Sequence, residues 1–89
     1  MSEVSAERDL LITNIPLWLM EEYLRRTGAA QRGEEWQHPA GWRAHLSPAP
    51  DYQIGSLRVG RLRLRLSGDP AAIAQAEQSL QVYLLRGGG

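Results

Sequence analysis

Residues 61–67 read Arg-Leu-Arg-Leu-Arg-Leu-Ser, a strict two-residue alternation. In an extended chain that spacing sets Arg61, Arg63 and Arg65 on one side, about 7 Å from one to the next. Arg43 and Arg58 stand in flanking segments that also read as strands, and they extend the row. A guanidinium offers a planar fork of N–H donors that fits a phosphate. A row of such groups also suits a nucleic-acid backbone. The competing reading is a wet sheet face whose arginines pair across strands with Glu34, Glu35 or other carboxylates. Both readings stand at this point. Few aromatic residues interleave with the arginines, which weakens base stacking as a contribution.

Other chemistry-bearing residues are sparse. His38 and His45 are the two histidines, and with Asp51 they are the candidate metal set. Their spacing matches no common ligand pattern and no cysteine assists, so no metal is expected. The six serines fall at termini, turns and caps, outside any nucleophile elbow. Glu21 and Glu22 are neighbours on a helical segment, where adjacent side chains point apart. No glycine-rich phosphate loop occurs. The expectation is therefore a protein with no catalytic residue, no metal and no cofactor.

The background is that of one small domain. Eighty-nine residues build a single core. Ten acidic residues balance ten basic ones, so a general affinity for polyanions is not expected from net charge. All ten basic residues are arginine, a bias that a GC-rich genome produces. With no cysteine, a disulfide framework is excluded. No apolar run reaches the roughly 20 residues of a membrane span. The polar start "MSEVSAERD" lacks a signal-peptide core, and a cytoplasmic protein is expected.

The elements that must position these residues follow from local pattern. Residues 1–8 are expected to be a flexible tail, 9–86 a single α+β domain and 87–89 a flexible glycine tail. "DLLITNI" reads as a buried strand. A helix follows from Pro16, with Leu17, Met20 and Leu24 as its core stripe and Gly28 as its left-handed stop. "AAQRG" reads as a connector, then "EEWQHP" and "GWRAHLS" as strands joined at Pro39-Ala40-Gly41. "SPAPD" reads as a loop because two prolines spoil a ladder. "YQIGSLRV" reads as a hairpin with Gly55-Ser56 in a type II′ turn, and Gly60 marks a bulge before the arginine alternation. Asp69 and Pro70 open a last helix with Ile73, Ala76, Leu80, Tyr83 and Leu84 on one stripe. The sum is β-α-β-β-β-β-α, an antiparallel sheet with two helices on one face, and Trp36 and Trp42 packed beneath them.

That order is the one found in TATA-binding-protein-like folds, with their curved sheets. The size, the stretch "RLRLRLSGDPAAI" and the closing helix resemble one family with that fold. It is the C-terminal domain attached to MoaD-related proteins of thermophilic bacteria, and the likeness runs from about Asp9 to Leu85. MoaD is the small sulfur-carrier subunit of molybdopterin synthase. The resemblance implies a protein partner in molybdenum-cofactor biosynthesis, and it carries over no catalytic residue. The ending "VYLLRGGG" raises a lesser alternative, a carrier whose terminal glycine carboxylate is adenylated and becomes an acyl or thiocarboxylate donor. In a MoaD carrier the paired glycines follow a strand of a β-grasp fold. Here the helical stripe runs straight into them.

Val82 and Leu85 fall off the main stripe of the last helix, and Trp18 lies beside that of the first. Apolar residues outside a core stripe need a second cover. A homodimer using Trp18, Val82 and Leu85 is expected, and the function read from the sequence is a non-enzymatic interaction or dimerisation module. The alternative is an anion- or nucleic-acid-binding domain that uses the arginine-lined face.

Overall fold

Asp69 starts the last helix as its composition demands. Its carboxylate accepts the Ala71 N–H at 3.1 Å and its carbonyl accepts the Ile73 N–H at 2.9 Å. Pro70 occupies the first helical position, where no donor is needed. The first helix ends on Gly28 at φ +104°, with Gly28 N–H on Arg25 O and Ala29 N–H on Leu24 O. This is the double closure that a left-handed glycine permits.

The computed structural model describes residues 5–87. Its elements are β1 (Ala6–Thr13), α1 (Leu17–Arg26), β2 (Ala30–Arg32), β3 (Glu35–Gln37), β4 (Trp42–Ile54), β5 (Leu57–Gly68) and α2 (Pro70–Gly87). The layout is the expected α+β order, β-α-β-β-β-β-α. The five strands form one antiparallel sheet in the order β1-β5-β4-β3-β2.

Period two divides the sheet. Leu62, Leu64 and Leu66 are buried, as are Ile12, Trp36, Trp42 and Ala44. Against them pack Met20, Tyr23 and Leu24 of α1 and Ala72, Ile73, Ala76 and Leu80 of α2. The two helices meet where the Tyr23 and Tyr83 rings stack at 5.3 Å. At about 25 cal/mol per Å² of apolar area, burial of this one shared core dominates the stability. Arg8 lies at the helix-covered parity of β1, opposite Leu66, and reaches Glu77 of α2 at 3.1 Å.

Several boundaries differ from the expectation, for physical reasons. β1 begins at Ala6, inside the segment read as a tail, because β5 runs to Gly68 and supplies a partner for each residue. "AQR" is a short strand, β2, paired with β3, and not a connector. The "SPAPD" segment is part of β4 and not a loop. β3 pairs only with residues 43–45, so the outer edge at Pro48 and Pro50 needs no donor. A bulge lies at the height of Gly60, but the extra residue is on β4, where the register shifts between Ala49 and Tyr52. Gly55 has φ +58°, and Ser56 is not among the positive-φ residues, as a type II′ turn requires. Leu17 is 43% exposed and leaves the core stripe to Met20, Tyr23 and Leu24.

β4 and β5 together extend well past the sheet. β1 covers β5 over residues 61–68 and Asn14 N–H reaches Gly60 O at 2.9 Å, so residues 50–59 form a two-stranded arm. The 53 × 25 × 24 Å outline is consistent with such a projection.

Candidate functional site

The register decides which arginines share a face. Arg61, Arg63 and Arg65 alternate with the buried leucines of β5, so they occupy the face that no helix covers. Arg43 on β4 stands opposite Ser67 and joins the same face one strand away. Arg58 does not join it. It lies beyond the bulge, opposite Gln53, at the alternate parity of β5. Four of the five sequence candidates are therefore brought together, and the fifth is on the arm.

Each arginine on the open face has a different setting. Arg65 is flanked by Asp9 of β1 and His45 of β4, and its Nε donates to Asp9 Oδ1 at 3.4 Å. Both side chains are more than half exposed, so this pair contributes little to stability. Arg61 donates its Nε to Pro50 O at 2.8 Å, and its guanidinium carbon lies 5.5 Å from the Tyr52 ring centre. Arg63 lies between Leu11 and Ser47 and has no ion pair among the described residues. Glu7 and Asp9 of β1 and Glu35 of β3 lie at the Arg43–Arg65 end of this face, with Glu34 beside His45, and Asp51 stands in the bulge beyond Arg61. Thr13, Leu11, Ser47 and Ala49 are directly across from Arg61 and Arg63.

The two histidines are separated by the sheet. His45 lies on the open face, with Nε2 at 3.7 Å from Glu34. His38 stacks on the buried Trp42 with ring centres 4.8 Å apart. Its Nδ1 accepts the Ala40 N–H at 2.9 Å, so Nε2 carries the proton that it donates to Thr27 O at 2.9 Å. The ring thus ties the end of α1 to the β3–β4 turn. No group of three or more candidate metal ligands occurs among the described residues. Replacing His38 with alanine removes two hydrogen bonds and a stack, an expected loss of about 2 kcal/mol. A urea midpoint lowered without a change in slope checks this; an unchanged midpoint contradicts it.

Grooves are shallow and mixed. One of about 470 Å³ runs between β1 and α2, lined by Leu10, Leu80, Leu84 and Glu77. Another of about 310 Å³ lies between the start of α1 and β3–β4, with Leu17, Trp36, Leu46, Glu21 and Glu34 on its walls. No helix is long and apolar enough to cross a membrane among the described residues.

Exposed apolar side chains form the other candidate surface. Trp18 of α1 is 67% exposed and Val82 of α2 is 53% exposed. Leu85, the third expected interface residue, lies outside the described side chains. The sequence reading missed a stronger patch on the arm. Tyr52 opposes Val59 and Ile54 opposes Leu57, so the four share one side of the ribbon. Tyr52, Ile54 and Leu57 are 48%, 55% and 67% exposed. The available signal was the two-residue spacing of Tyr52 and Ile54, and of Leu57 and Val59, on either side of Gly55-Ser56. α2 continues to Gly87, so the last residues follow a helix, whereas a β-grasp carrier presents them after a strand.

Comparison with known families places this architecture. Residues 8–89 match the family described as archaeal MoaD-like protein. Among curated proteins, none matches the chain.

Proposed function

The chain belongs to the archaeal MoaD-like protein family, and from that membership we propose that it serves molybdenum-cofactor biosynthesis as a small interaction module. It is non-enzymatic, works in the cytoplasm and forms a homodimer. Its partner is a protein of molybdopterin synthesis. The strand order supports a TATA-binding-protein-like assignment for the sheet.

One observation carries this reading. Seven large apolar residues, Leu11, Leu17, Trp18, Tyr52, Ile54, Leu57 and Val82, are each more than two fifths exposed. Single exposed apolar residues are ordinary, but grouped ones mark association surfaces. Five of them fall on two surfaces, while Leu11 lies on the open sheet face and Leu17 at the groove beside β3. Trp18 and Val82 lie on the helical layer, and we assign them to the homodimer. Tyr52, Ile54 and Leu57 lie on the arm, and we assign them to the partner. The balanced charge leaves little repulsion between copies.

Sedimentation tests the reading. The unmodified chain at tens of micromolar is expected to run at twice its 10.0 kDa mass. Val82→Glu sets like charges across a two-fold axis and is expected to give monomers. A monomer for the unmodified chain that also ignores purified molybdopterin-synthase subunits sinks the proposal.

A second reading, anion binding, is favoured by the gathering of Arg43, Arg61, Arg63 and Arg65 on one uncovered face. The glycine-tailed carrier has no such support, because α2 runs into the tail.

A further inference from the structure

Charge on the open sheet face is segregated although the chain as a whole is neutral. Asp9 stands directly across from Arg65 and pairs with it, and Glu7 and Glu35 lie at the same end. Arg61 and Arg63 have Thr13, Leu11, Ala49 and Ser47 directly across, and Asp51 lies in the bulge beside Arg61 without an ion pair to it. A cation without a paired carboxylate keeps its field for a ligand. A paired one has its field cancelled within a few ångströms.

That same end is also shaped for an anion. Arg61 and Arg63 are two residues apart on β5, about 7 Å by strand geometry, so both forks can converge on one phosphate between them. Arg61 is fixed in advance. Its Nε is held by Pro50 O and its guanidinium carbon lies 5.5 Å from the Tyr52 ring centre, and neither contact uses the terminal nitrogens in a hydrogen bond. Ser47 is directly across from Arg63, and Thr13 directly across from Arg61, so two hydroxyls flank the pair. Tyr52 is about half exposed and lies next along the ribbon. Its free surface is a platform for a ring, and stacking on an aromatic face is tolerant of ring identity.

We propose that this end of the open face is a binding site for a nucleotide phosphate. Arg61 and Arg63 hold the phosphate oxygens, Ser47 and Thr13 hydrogen-bond to them, and Tyr52 receives the base. The phosphate belongs to a free nucleotide or to a single strand of nucleic acid, since the two present the same ester and ring. The site is separate from the helical-layer surface assigned to the homodimer and shares Tyr52 with the arm surface assigned to the partner, so the two ligands compete there.

Titration at about 50 mM salt, where phosphate contacts are strong, tests it. The probes are AMP and a short oligothymidylate, followed by amide shifts and by calorimetry. Binding of both identifies a free nucleotide as sufficient, and binding of the oligonucleotide alone identifies a strand. Either result supports the site provided that the paired variant Arg61→Gln/Arg63→Gln weakens affinity at least about tenfold. Arg43→Gln/Arg65→Gln is expected to weaken it less than about threefold, because Asp9 already pairs with Arg65 and Arg43, opposite Ser67, lies farther along the face from Arg61 and Arg63. Arg63→Lys keeps the charge but not the fork and is expected to fall between. All these side chains lie on the solvent side, so thermal melting reports that the variants remain folded. The proposal is overturned if neither probe binds at low salt. Equal losses from the two double variants also overturn it, since they mark general attraction and not a site.

Discussion

Gly68→Ala is expected to destabilise the domain by about 3 kcal/mol or more, the range reached when backbone strain and a steric clash coincide. Gly68 has φ +139°, which L side chains rarely adopt. A Cβ there would lie 2.4 Å from Gly41 O and 3.0 Å from Trp42 Cα. Both are backbone atoms and cannot rotate away. The position is also shared by two ladders, since Gly68 opposes Ala6 of β1 and Trp42 of β4. Relief of the clash must therefore separate the very strands that hold Trp42 in the core. A domain of this length holds only about 4–13 kcal/mol in all. The loss corresponds to a fall of about 12–24 °C in melting temperature. Gly60→Ala is the control. Nothing lies within 4 Å of its added Cβ and its φ is not positive, so a change below about 1 kcal/mol is expected. Equal melting temperatures for the two variants would show that the close approach at Gly41 is not fixed.

The elements that were legible in the sequence are those specified by adjacent residues. Asp69-Pro70 caps α2, Gly28 ends α1, and the Arg-Leu alternation sets the two faces of β5 without help from the rest of the chain. The misread segments are those decided by a partner strand. Pro48 and Pro50 argue against a strand only where their missing donors are needed, and β4 leaves that edge unpaired. Ala30–Arg32 has no buried residue and no alternation, so only its pairing with β3 makes it a strand. Leu17 is exposed, and Tyr23, which the helical stripe did not include, is buried where its ring stacks on Tyr83 of α2.

The same division holds for the candidate site. The alternation reveals Arg61, Arg63 and Arg65, and the same count along β5 sets Arg58, three residues before Arg61, at the other parity. Pairing of Arg65 with Asp9 joins residues 56 apart, a relation no local pattern contains. Tyr52 meets Arg61 only because the segment before it continues as a strand.

Serine at Tyr52, Ile54 and Leu57 together is expected to abolish partner binding while the fold survives. The arm lies beyond the reach of β1 and β3, and none of the three residues belongs to the buried core. Their removal therefore leaves no cavity of the kind that destabilises a domain. The melting temperature is expected to move by only a few degrees, at about 4–8 °C per kcal/mol. Binding should respond far more. An uncovered two-stranded ribbon keeps little apolar surface out of water by itself, so the free energy of covering it is still available to a partner. Buried anchors of this type are worth about 2 kcal/mol or more each when truncated. Even with partial overlap, three of them imply a loss of at least about a thousandfold in affinity, since each 1.4 kcal/mol is tenfold. Calorimetry of the triple variant against purified molybdopterin-synthase subunits measures it, with Val82→Glu beside it. The helical substitution is expected to split the homodimer and leave the partner's heat signal, whereas the arm substitution does the reverse. An arm variant that stays folded and still binds with unchanged affinity removes the arm from the interface.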